Sequence, residues 1–311
     1  MTKKDFLLSI IIPVYNEEDG IDPLMSRIIP VLNAYNYELI FVDDGSKDKT
    51  FQKLKGYTSK NDRIKVISFV RNFGHQMALS AGYAQAKGDA VVSIDADLQD
   101  PPELITQMVE EWQKGYQVIY AQREERDDSF FKKQTASIFY KLINFLSDTP
   151  IPHDVGDYRL LDREVVDFLN KLPERKDFLR GIVAWGGYKS TKILFKRDRR
   201  ETGKTHYPLA KMLDLALNGI TSFSIKPLRM VTFFGLLVSL FSIVEIAYKV
   251  IEHILFPEIY WQPGWASLFF AIVFLGGVQL MTIGIIGEYI GKIYRQIQSR
   301  PHYLIKEKIH V

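Results

Sequence analysis

Residues 90–102 read AVVSIDADLQDPP, an apolar run with β-branched residues that ends in two carboxylates, Asp95 and Asp97. The run predicts a buried strand, with the two acidic side chains at its carboxyl end. In open α/β sheets, ligands bind outside the carboxyl ends of the strands. Two carboxylates there suit Mg²⁺ or Mn²⁺ bridging a pyrophosphate, because such ions take one or two carboxylates together with phosphate oxygens. The alternative is an acidic, proline-rich turn without a ligand.

Apolar runs and helical patterns alternate along the chain before this segment. The apolar runs cover residues 8–14, 37–42 and 65–69, and helical patterns cover residues 21–33 and 74–87. Such alternation predicts right-handed βαβ units and an α/β fold with a mainly parallel, Rossmann-like sheet that carries helices on both faces. The acidic clusters after the first, second and fourth strands would then lie on one edge of the sheet.

Three motifs in this frame resemble the donor-binding half of a glycosyltransferase family 2 domain, whose nucleotide-sugar fold is called GT-A. They are PVYNE at residues 13–17, DDGS at residues 43–46 and DADLQDPP at residues 95–102, in this order. More narrowly, the chain is similar to polyprenyl-phosphate glycosyltransferases, the group that holds bactoprenol glucosyltransferases and dolichyl-phosphate mannose synthases. The resemblance covers residues 7–211 by motif, and the apolar carboxyl-terminal part adds to it.

The resemblance implies a binding site for the nucleotide of the donor sugar. Pro13, Tyr15 and Glu17 match the first-strand loop that packs around the base, and Asp44 matches the carboxylate that contacts the base or the ribose. For each of them the alternative is a role in a turn or a helix cap, and residues 43–46 would make such a cap without any ligand.

The resemblance also implies a metal site for Mg²⁺ or Mn²⁺ at Asp95 and Asp97, with Gln99 as a third contact. As the acceptor attacks the anomeric carbon, the departing nucleoside diphosphate develops charge on its β-phosphate. A cation held by these residues would stabilise that charge, which makes Asp97 a candidate catalytic residue as well as a metal ligand.

Asp157, within VGDYR at residues 155–159, matches the position of the general base in the family. A lipid phosphate acceptor has a second pKa near 6 and is largely ionised at neutral pH, so a base is not strictly required. Asp157 would then act as a base, orient the acceptor, or tune a cation such as Arg159. The alternative is a cap for a helix that starts near Asp162.

A basic stretch at residues 200–207, RETGKTHY, resembles the loop that family members place over the active site. Arg200 and Lys204 are expected to neutralise the donor pyrophosphate or the acceptor phosphate, and Thr205 occupies the hydroxyl position of the motif. Part of this run is also expected to meet anionic lipid.

Residues 72–76, NFGHQ, open a predicted helix and are a further candidate for the donor site. His75 within them would line that site, cap the helix or lie on the surface. Arg123 lies just before a polar stretch whose family counterpart is a loop near the active site.

Two apolar segments, residues 231–255 and 265–286, are each close to the roughly 20 residues that span a bilayer. Buried core helices are the alternative, but both segments are apolar on nearly all faces. The connector at residues 256–264 has no Lys or Arg, whereas basic residues flank the pair at Lys226, Arg229, Lys292, Arg295 and Arg300. The positive-inside rule therefore predicts a multi-pass protein of the cytoplasmic (inner) membrane, with the catalytic domain and both termini in the cytoplasm.

Residues 209–223 show apolar positions at helical spacing just before the first span, which favours an amphipathic interfacial helix over a core helix. Within that span, Glu245 and Lys249 are four residues apart, so they form an intrahelical pair or an inter-helix contact. Because two helices bury such charges poorly, we expect a homo-oligomer. The expected organisation is a catalytic domain, an interfacial region, a two-helix hairpin and a basic tail, at residues 1–206, 207–228, 229–290 and 291–311.

Composition limits the alternatives. The 311 residues suffice for one large domain with an appendage, and the absence of cysteine excludes disulfides and thiolate zinc sites. A formal net charge of +3 gives no indication of nucleic acid as a partner. Residues 1–6 lead directly into the first strand, so no signal peptide is expected.

Three other classes of protein fit less well. A dinucleotide oxidoreductase would need a glycine-rich turn where residues 13–18 read PVYNEE. Processive polysaccharide synthases carry a Gln-x-x-Arg-Trp motif and many more spans, and the surroundings of Trp185 do not match that motif. A non-catalytic membrane scaffold would be expected to lose its metal carboxylates, whereas Asp95 and Asp97 are present.

The sequence thus predicts a metal-dependent, inverting glycosyltransferase. It would transfer one sugar from a nucleotide sugar to undecaprenyl or another polyprenyl phosphate at the cytoplasmic face of the membrane. By resemblance the favoured donor is UDP-glucose, and the alternative is a GDP-mannose-dependent mannosyltransferase acting on dolichyl or polyprenyl phosphate.

Overall fold

The computed structural model describes residues 5–123, 155–172, 178–195, 224–255, 264–298 and 300–311. These residues form two compact units. The sheet unit contains the described residues up to 195 together with residues 300–311, and the helical unit contains the described residues from 224 to 298.

The described part of the sheet unit contains one eight-stranded sheet. Its strands are β1 Leu7–Val14, β2 Asn36–Asp43, β3 Ile64–Phe69, β4 Ala90–Ser93, β5 Val118–Arg123, β6 Val155–Asp162, β7 Ser190–Phe195 and β8 Ile305–Ile309. Their order in space is β7-β5-β6-β4-β1-β2-β3-β8. The helices of this unit are α1 Ile21–Leu32, α2 Thr50–Thr58, α3 His75–Gln85, α4 Leu104–Gln113, α5 Arg163–Lys171 and α6 Leu179–Trp185.

The central strands confirm the predicted α/β fold. β4, β1, β2 and β3 are mutually parallel, and β1 and β2 are buried along almost their whole length, as expected where helices cover both faces of a sheet. Two strands run against this direction: β6 lies antiparallel between β4 and β5, and β8 lies antiparallel to β3 at the edge.

The chain order reverses beside β1, because β2 and β3 follow on one side of it while β4 lies on the other. Ligand sites of open α/β sheets form at such a switch point. β6 contributes to the same edge, because Ser93 at the end of β4 pairs with Arg159 of β6. Asp157, two residues earlier in β6, therefore lies beyond the carboxyl end of β4.

α3 packs tightly on the sheet and fixes one wall of this edge. Its residues from Met77 to Tyr83 are buried, and a Cβ atom added at Gly82 would overlap the Ile11 side chain of β1. Glycine is therefore needed for the close approach of helix and strand. The amino terminus of α3, at His75, is held at the carboxyl edge of the sheet as a result.

The described helical unit contains α7 Lys226–Leu255 and α8 Trp265–Ile297. Their segments Lys226–Val244 and Ala271–Ile297 are long and apolar enough to cross a membrane, with mean hydropathies of 1.9 and 1.7. None of the most apolar window of either segment is buried within the protein, unlike a core helix of a soluble domain. The predicted interfacial helix at residues 209–223 and the side chains of Glu245 and Lys249 lie outside the described structure.

Candidate active site

A cavity of about 330 Å³ opens at the carboxyl edge of the sheet. It brings together six of the predicted site residues, and Asn72, Gly74 and His75 also line it. The six are Pro13, Tyr15, Glu17, Asp44, Asp95 and Asp97. Loops that are far apart in the chain thus contribute to a single site, while the roles of these residues remain predictions.

The loop after β1 is fastened to the loop after β2. Asn16 adopts a left-handed backbone with φ of 54°, its amide donates to Ser46 Oγ at 2.9 Å, and its side-chain oxygen accepts from the Lys47 amide at 2.8 Å. The Glu17 amide donates to Thr50 Oγ1 at 2.9 Å. These bonds leave Tyr15 projecting, with 41% of its surface exposed, beside the cavity.

Asp44 is buried and ties the end of β2 to the start of α3. Its two carboxylate oxygens accept hydrogen bonds from the amides of Phe73, at 2.6 Å, and Gly74, at 2.9 Å. Burial raises the pKa of Asp44 above its ordinary value, although these two amides oppose the change. Asp44 does not cap α2, the next helix in the chain, and its side chain lines the cavity.

Asp95 and Asp97 lie in the loop after β4, beside Leu98, whose backbone has φ of 56°. A third of the Asp95 side chain is exposed, and Asp97 Oδ1 accepts from the Gln99 amide at 3.2 Å. Gln99 is itself buried and does not line the cavity. Burial, followed by the neighbouring carboxylates of Asp157 and Asp97, raises the pKa of Asp95, while His75 and Arg180 oppose the change.

The acidic loop fits a divalent cation that is shared with a phosphate ligand. No three His, Asp or Glu side chains of the described residues are arranged to hold a metal by themselves. Mg²⁺ and Mn²⁺ do not need such a cage, because they complete their coordination with waters and substrate phosphates. Asp95 and Asp97 line the cavity, and a bound cation would offset the repulsion between these neighbouring carboxylates.

His75 links the acidic loop to β6. Its Nε2 lies 3.3 Å from Asp157 Oδ2 and 3.6 Å from Asp95 Oδ1. Burial lowers the pKa of His75, but the hydrogen bond to Asp157 and the charges of both carboxylates outweigh it, so the pKa lies above the ordinary value. Of the open alternatives for His75, the structure favours the one in which it lines the cavity.

Asp157 accepts hydrogen bonds from three surrounding side chains. Its Oδ1 accepts from Arg159 Nη2 at 3.2 Å and Arg180 Nε at 3.0 Å, and its Oδ2 accepts from Arg180 Nη2 and Gln76 Nε2, both at 2.9 Å. Burial alone would raise the pKa of Asp157, but His75 and the two arginines hold it well below its ordinary value. The helix cap considered for Asp157 belongs instead to Asp162, which accepts from the Glu164 amide at the start of α5.

Arg180 is a member of this site that the sequence reasoning missed. Its signal is a single cation in the otherwise uncharged stretch LRGIVAW of α6. The predicted phosphate-binding residues Arg200 and Lys204, together with Thr205, lie outside the described residues, and so does the side chain of Arg123.

Two family profiles match the chain. The first is described as Glycosyl transferase family 2 and matches residues 9–169, and the second is described as GtrB C-terminal hairpin and matches residues 226–293. Between them they cover the central sheet with its acidic loops and the two long helices.

Relatives match over nearly the whole chain. An uncharacterized glycosyltransferase of Synechocystis is 46% identical over 304 residues, which cover 96% of this chain and 95% of the relative. A protein of Shigella phage SfX named bactoprenol glucosyl transferase is 42% identical, with 97% of this chain and 99% of the relative covered.

Among solved structures, the mannosyltransferase PcManGT of Pyrobaculum calidifontis, in complex with GDP-Man and Mn²⁺, matches with a TM-score of 0.52. The match has 14% identity and covers 95% of this chain and 88% of that one. This likeness supports the GT-A type of fold.

Proposed function

The chain belongs to glycosyl transferase family 2 and is a glycosyltransferase, and we propose that it transfers one glucose unit from UDP-glucose to a polyprenyl phosphate at the cytoplasmic face of a membrane. The observation that carries the proposal is the cavity in which Tyr15, Asp44, Asp95 and Asp97 meet at the switch point of the sheet. The name of the Shigella phage relative supports glucose as the sugar and bactoprenol as the lipid class.

The donor would occupy the cavity with its base against the first-strand loop. Pro13, Tyr15 and Glu17 would surround the base, and Asp44, which is already oriented by two amides, would accept from the base or the ribose. Burial of the Asp44 carboxylate makes this hydrogen bond selective, because a nucleoside that leaves a buried acceptor without a partner loses affinity.

Asp95 and Asp97 would hold Mg²⁺ or Mn²⁺, which would supply electrostatic stabilisation of the departing nucleoside diphosphate. Gln99 is proposed as a third contact on the family resemblance alone, since its buried side chain does not line the cavity. The two carboxylates face the cavity, so the pyrophosphate would lie between them and the sugar. Arg200 and Lys204 are proposed to add positive charge to the donor or acceptor phosphates.

The acceptor phosphate is a nucleophile without help from a base. One of its ionised oxygens attacks the anomeric carbon, the bond from that carbon to the β-phosphate oxygen breaks, and the electron pair leaves with UDP. A single displacement of this kind inverts the anomeric centre. Since Asp157 is enclosed by two arginines and His75, its proposed task is to orient its neighbours rather than to accept a proton.

The path of the chain supports a hairpin in the membrane. β7 precedes the two candidate spans and β8 follows them, yet both strands belong to the same sheet. Because one sheet cannot be divided by a bilayer, an even number of crossings is needed. The basic flanks then favour the cytoplasm for the catalytic domain at residues 1–206 and for both termini.

A transfer assay with the purified full-length protein tests the proposal. Labelled UDP-glucose and GDP-mannose would each be offered with polyprenyl phosphate and Mn²⁺ or Mg²⁺, and the label in the lipid phase measured. We expect transfer from UDP-glucose that EDTA abolishes. Transfer from GDP-mannose alone would favour a mannosyltransferase, and binding of UDP with no transfer of any sugar would favour a non-catalytic scaffold.

A further inference from the structure

Asp157 contacts both His75 and Arg180, of which only His75 lines the cavity proposed for the sugar nucleotide. On the donor side, His75 contacts Asp157 and lines the cavity. At the other end lies Arg180, which contacts Asp157 but does not line that cavity. The side chains of Asp157 and Arg159 are 4% and 0% exposed, whereas that of Arg180 is 35% exposed, so Arg180 is the arginine of this network that a ligand can reach.

α6 orients Arg180 in a fixed way. Leu179, Gly181, Ile182 and Val183 are buried, which leaves Arg180 as the partly exposed position within this first turn of the helix. The amide of Leu179 donates to Gln76 Oε1 at 3.1 Å, and Nε2 of the same glutamine donates to Asp157 Oδ2 at 2.9 Å. One glutamine side chain therefore holds the start of α6 and the carboxylate that faces Arg180.

The contact between Arg180 and Asp157 uses two hydrogen bonds, from Nε to Oδ1 at 3.0 Å and from Nη2 to Oδ2 at 2.9 Å. This geometry fixes the plane of the guanidinium group, which is the form in which arginine recognises phosphate. Asp157 is also contacted by Arg159, so both arginines pair with the same carboxylate. Of the two, Arg180 is the one whose side chain is partly exposed.

We propose that Arg180 binds the phosphate of the acceptor and that Asp157 is the residue that positions Arg180. The proposal rests on the function proposed above, since it assigns the acceptor's place within it. In a single displacement the attacking oxygen approaches from the side opposite the leaving group. Arg180 contacts Asp157, which in turn contacts His75 of the donor cavity, so a phosphate bound by Arg180 would lie next to the donor without occupying its cavity.

Steady-state kinetics of the full-length enzyme with UDP-glucose and polyprenyl phosphate test this assignment. For Arg180→Gln we expect the KM for polyprenyl phosphate to rise about tenfold or more, because a hydrogen-bonded charge contact is lost. The KM for UDP-glucose and the shift in melting temperature caused by UDP with Mn²⁺ should stay within about twofold of wild type. Arg180→Lys keeps the charge without the paired hydrogen bonds, so its KM for polyprenyl phosphate should lie between those of wild type and Arg180→Gln.

Arg27→Gln is the matched control. Arg27 also makes two hydrogen bonds to one carboxylate, that of Glu103, and its side chain is 32% exposed, close to the value for Arg180. Loss of that contact should leave both KM values unchanged. If Arg180→Gln does not fold, Arg180→Lys decides, and an unchanged acceptor KM in that variant would overturn the proposal.

Asp157→Asn separates positioning from a purely structural role. It should raise the acceptor KM, and the double variant Asp157→Asn/Arg180→Gln should be no worse than Arg180→Gln alone, because both changes remove one contact. If the two substitutions raise the acceptor KM additively, or if only the KM for UDP-glucose rises, the assignment is wrong. A wild-type enzyme that binds UDP but glycosylates no polyprenyl phosphate would contradict the proposed function itself, whereas an active wild type with an unaffected Arg180→Gln would contradict only this inference.

Discussion

Asp44 and Gly74 are joined at the edge of the donor cavity, where Asp44 Oδ2 accepts a hydrogen bond from the Gly74 amide at 2.9 Å. Gly74 has φ of +99°, a conformation that side chains other than glycine rarely adopt, and it directly precedes α3. The carboxylate proposed to bind the nucleotide therefore also holds the helix that presents His75. The proposed nucleotide binding and the local fold would therefore depend on the same two oxygens.

Asp44→Ala is expected to lower both the stability of the fold and the affinity for UDP. Loss of the carboxylate leaves two amides without their acceptor, so the free energy of unfolding should fall by about 1–3 kcal/mol. The dissociation constant for UDP should rise by more than about tenfold. Asp44→Asn, which retains one acceptor oxygen, should lose less stability. Chemical denaturation and calorimetric titration with UDP measure the two effects, and unaltered UDP affinity in a folded Asp44→Ala variant would argue against the nucleotide role.

Asp97→Asn should abolish metal-dependent transfer while the fold is kept. We expect kcat to fall by about 10²–10³, the size of effect seen when one electrostatic contact to a transition state is removed. The rise in melting temperature caused by Mn²⁺ with UDP should disappear as well. Asp62→Asn is the control, because that side chain is 99% exposed. Full activity of Asp97→Asn would remove the acidic loop from the mechanism.

Glu38 provides a pH-dependent test of the core. Its buried carboxylate accepts from Ser9 Oγ, Lys65 Nζ and the Lys87 amide. Burial would raise its pKa, but these partners lower the pKa below the ordinary value of 4.5. Its contribution to stability is thus complete above about pH 4.5 and is lost as the pH falls through the lowered pKa.

Glu38→Gln should therefore be less stable than wild type at neutral pH, with the difference shrinking below about pH 4.5. Urea denaturation at several pH values measures this. Glu103→Gln is the comparison, because Glu103 pairs with Arg27 but is 55% exposed, and such surface pairs contribute about 0–1 kcal/mol. A difference for Glu38→Gln that grows on acidification would contradict the sign argued above.

Removal of β8 should destabilise the sheet unit. A chain that ends at Arg300 would lose the pairing with β3 and the stacking of Tyr303 on Phe69, whose ring centroids are 4.9 Å apart. Exposed strand edges favour intermolecular pairing, so we expect a lower melting temperature and more aggregation in detergent. Glu307→Gln, which breaks only an exposed pair with Lys55, should melt like wild type. Equal behaviour of the truncated and full-length chains would show that β8 contributes little.

The sequence predicted the central sheet well because its order is local and periodic. The strands at residues 8–14 and 37–42 correspond to β1 and β2 within one residue at each end, since continuous burial leaves an unbroken apolar run. β8 was not predicted: it lies in a basic tail, and two of its five residues are exposed while none is fully buried, so the run IKEKI carries little apolar signal. Its position depends on pairing with β3, far away in the chain.

The site, like the sheet, could be predicted only in part. Residues at the ends of parallel strands, such as Asp44 and Asp95, could be expected at one edge from topology alone. The contacts of Asp157 could not, because its partners Gln76 and Arg180 are 81 and 23 residues away and reach it only through the antiparallel placement of β6. The side chains that surround Asp157 are brought together by tertiary packing, which a single sequence does not reveal.

The antiparallel pairing of β8 with β3 can form only late in the synthesis of the chain. β8 follows the other described strands in the chain, and at 5–20 residues per second the roughly 240 residues after β3 take on the order of 10 to 50 seconds to synthesise. During that interval β3 lacks its pairing with β8, while both candidate membrane helices are being made. The sheet is therefore complete only after the helices have been synthesised, so a nascent chain that stalls at the membrane keeps an open strand edge that chaperones and proteases can recognise.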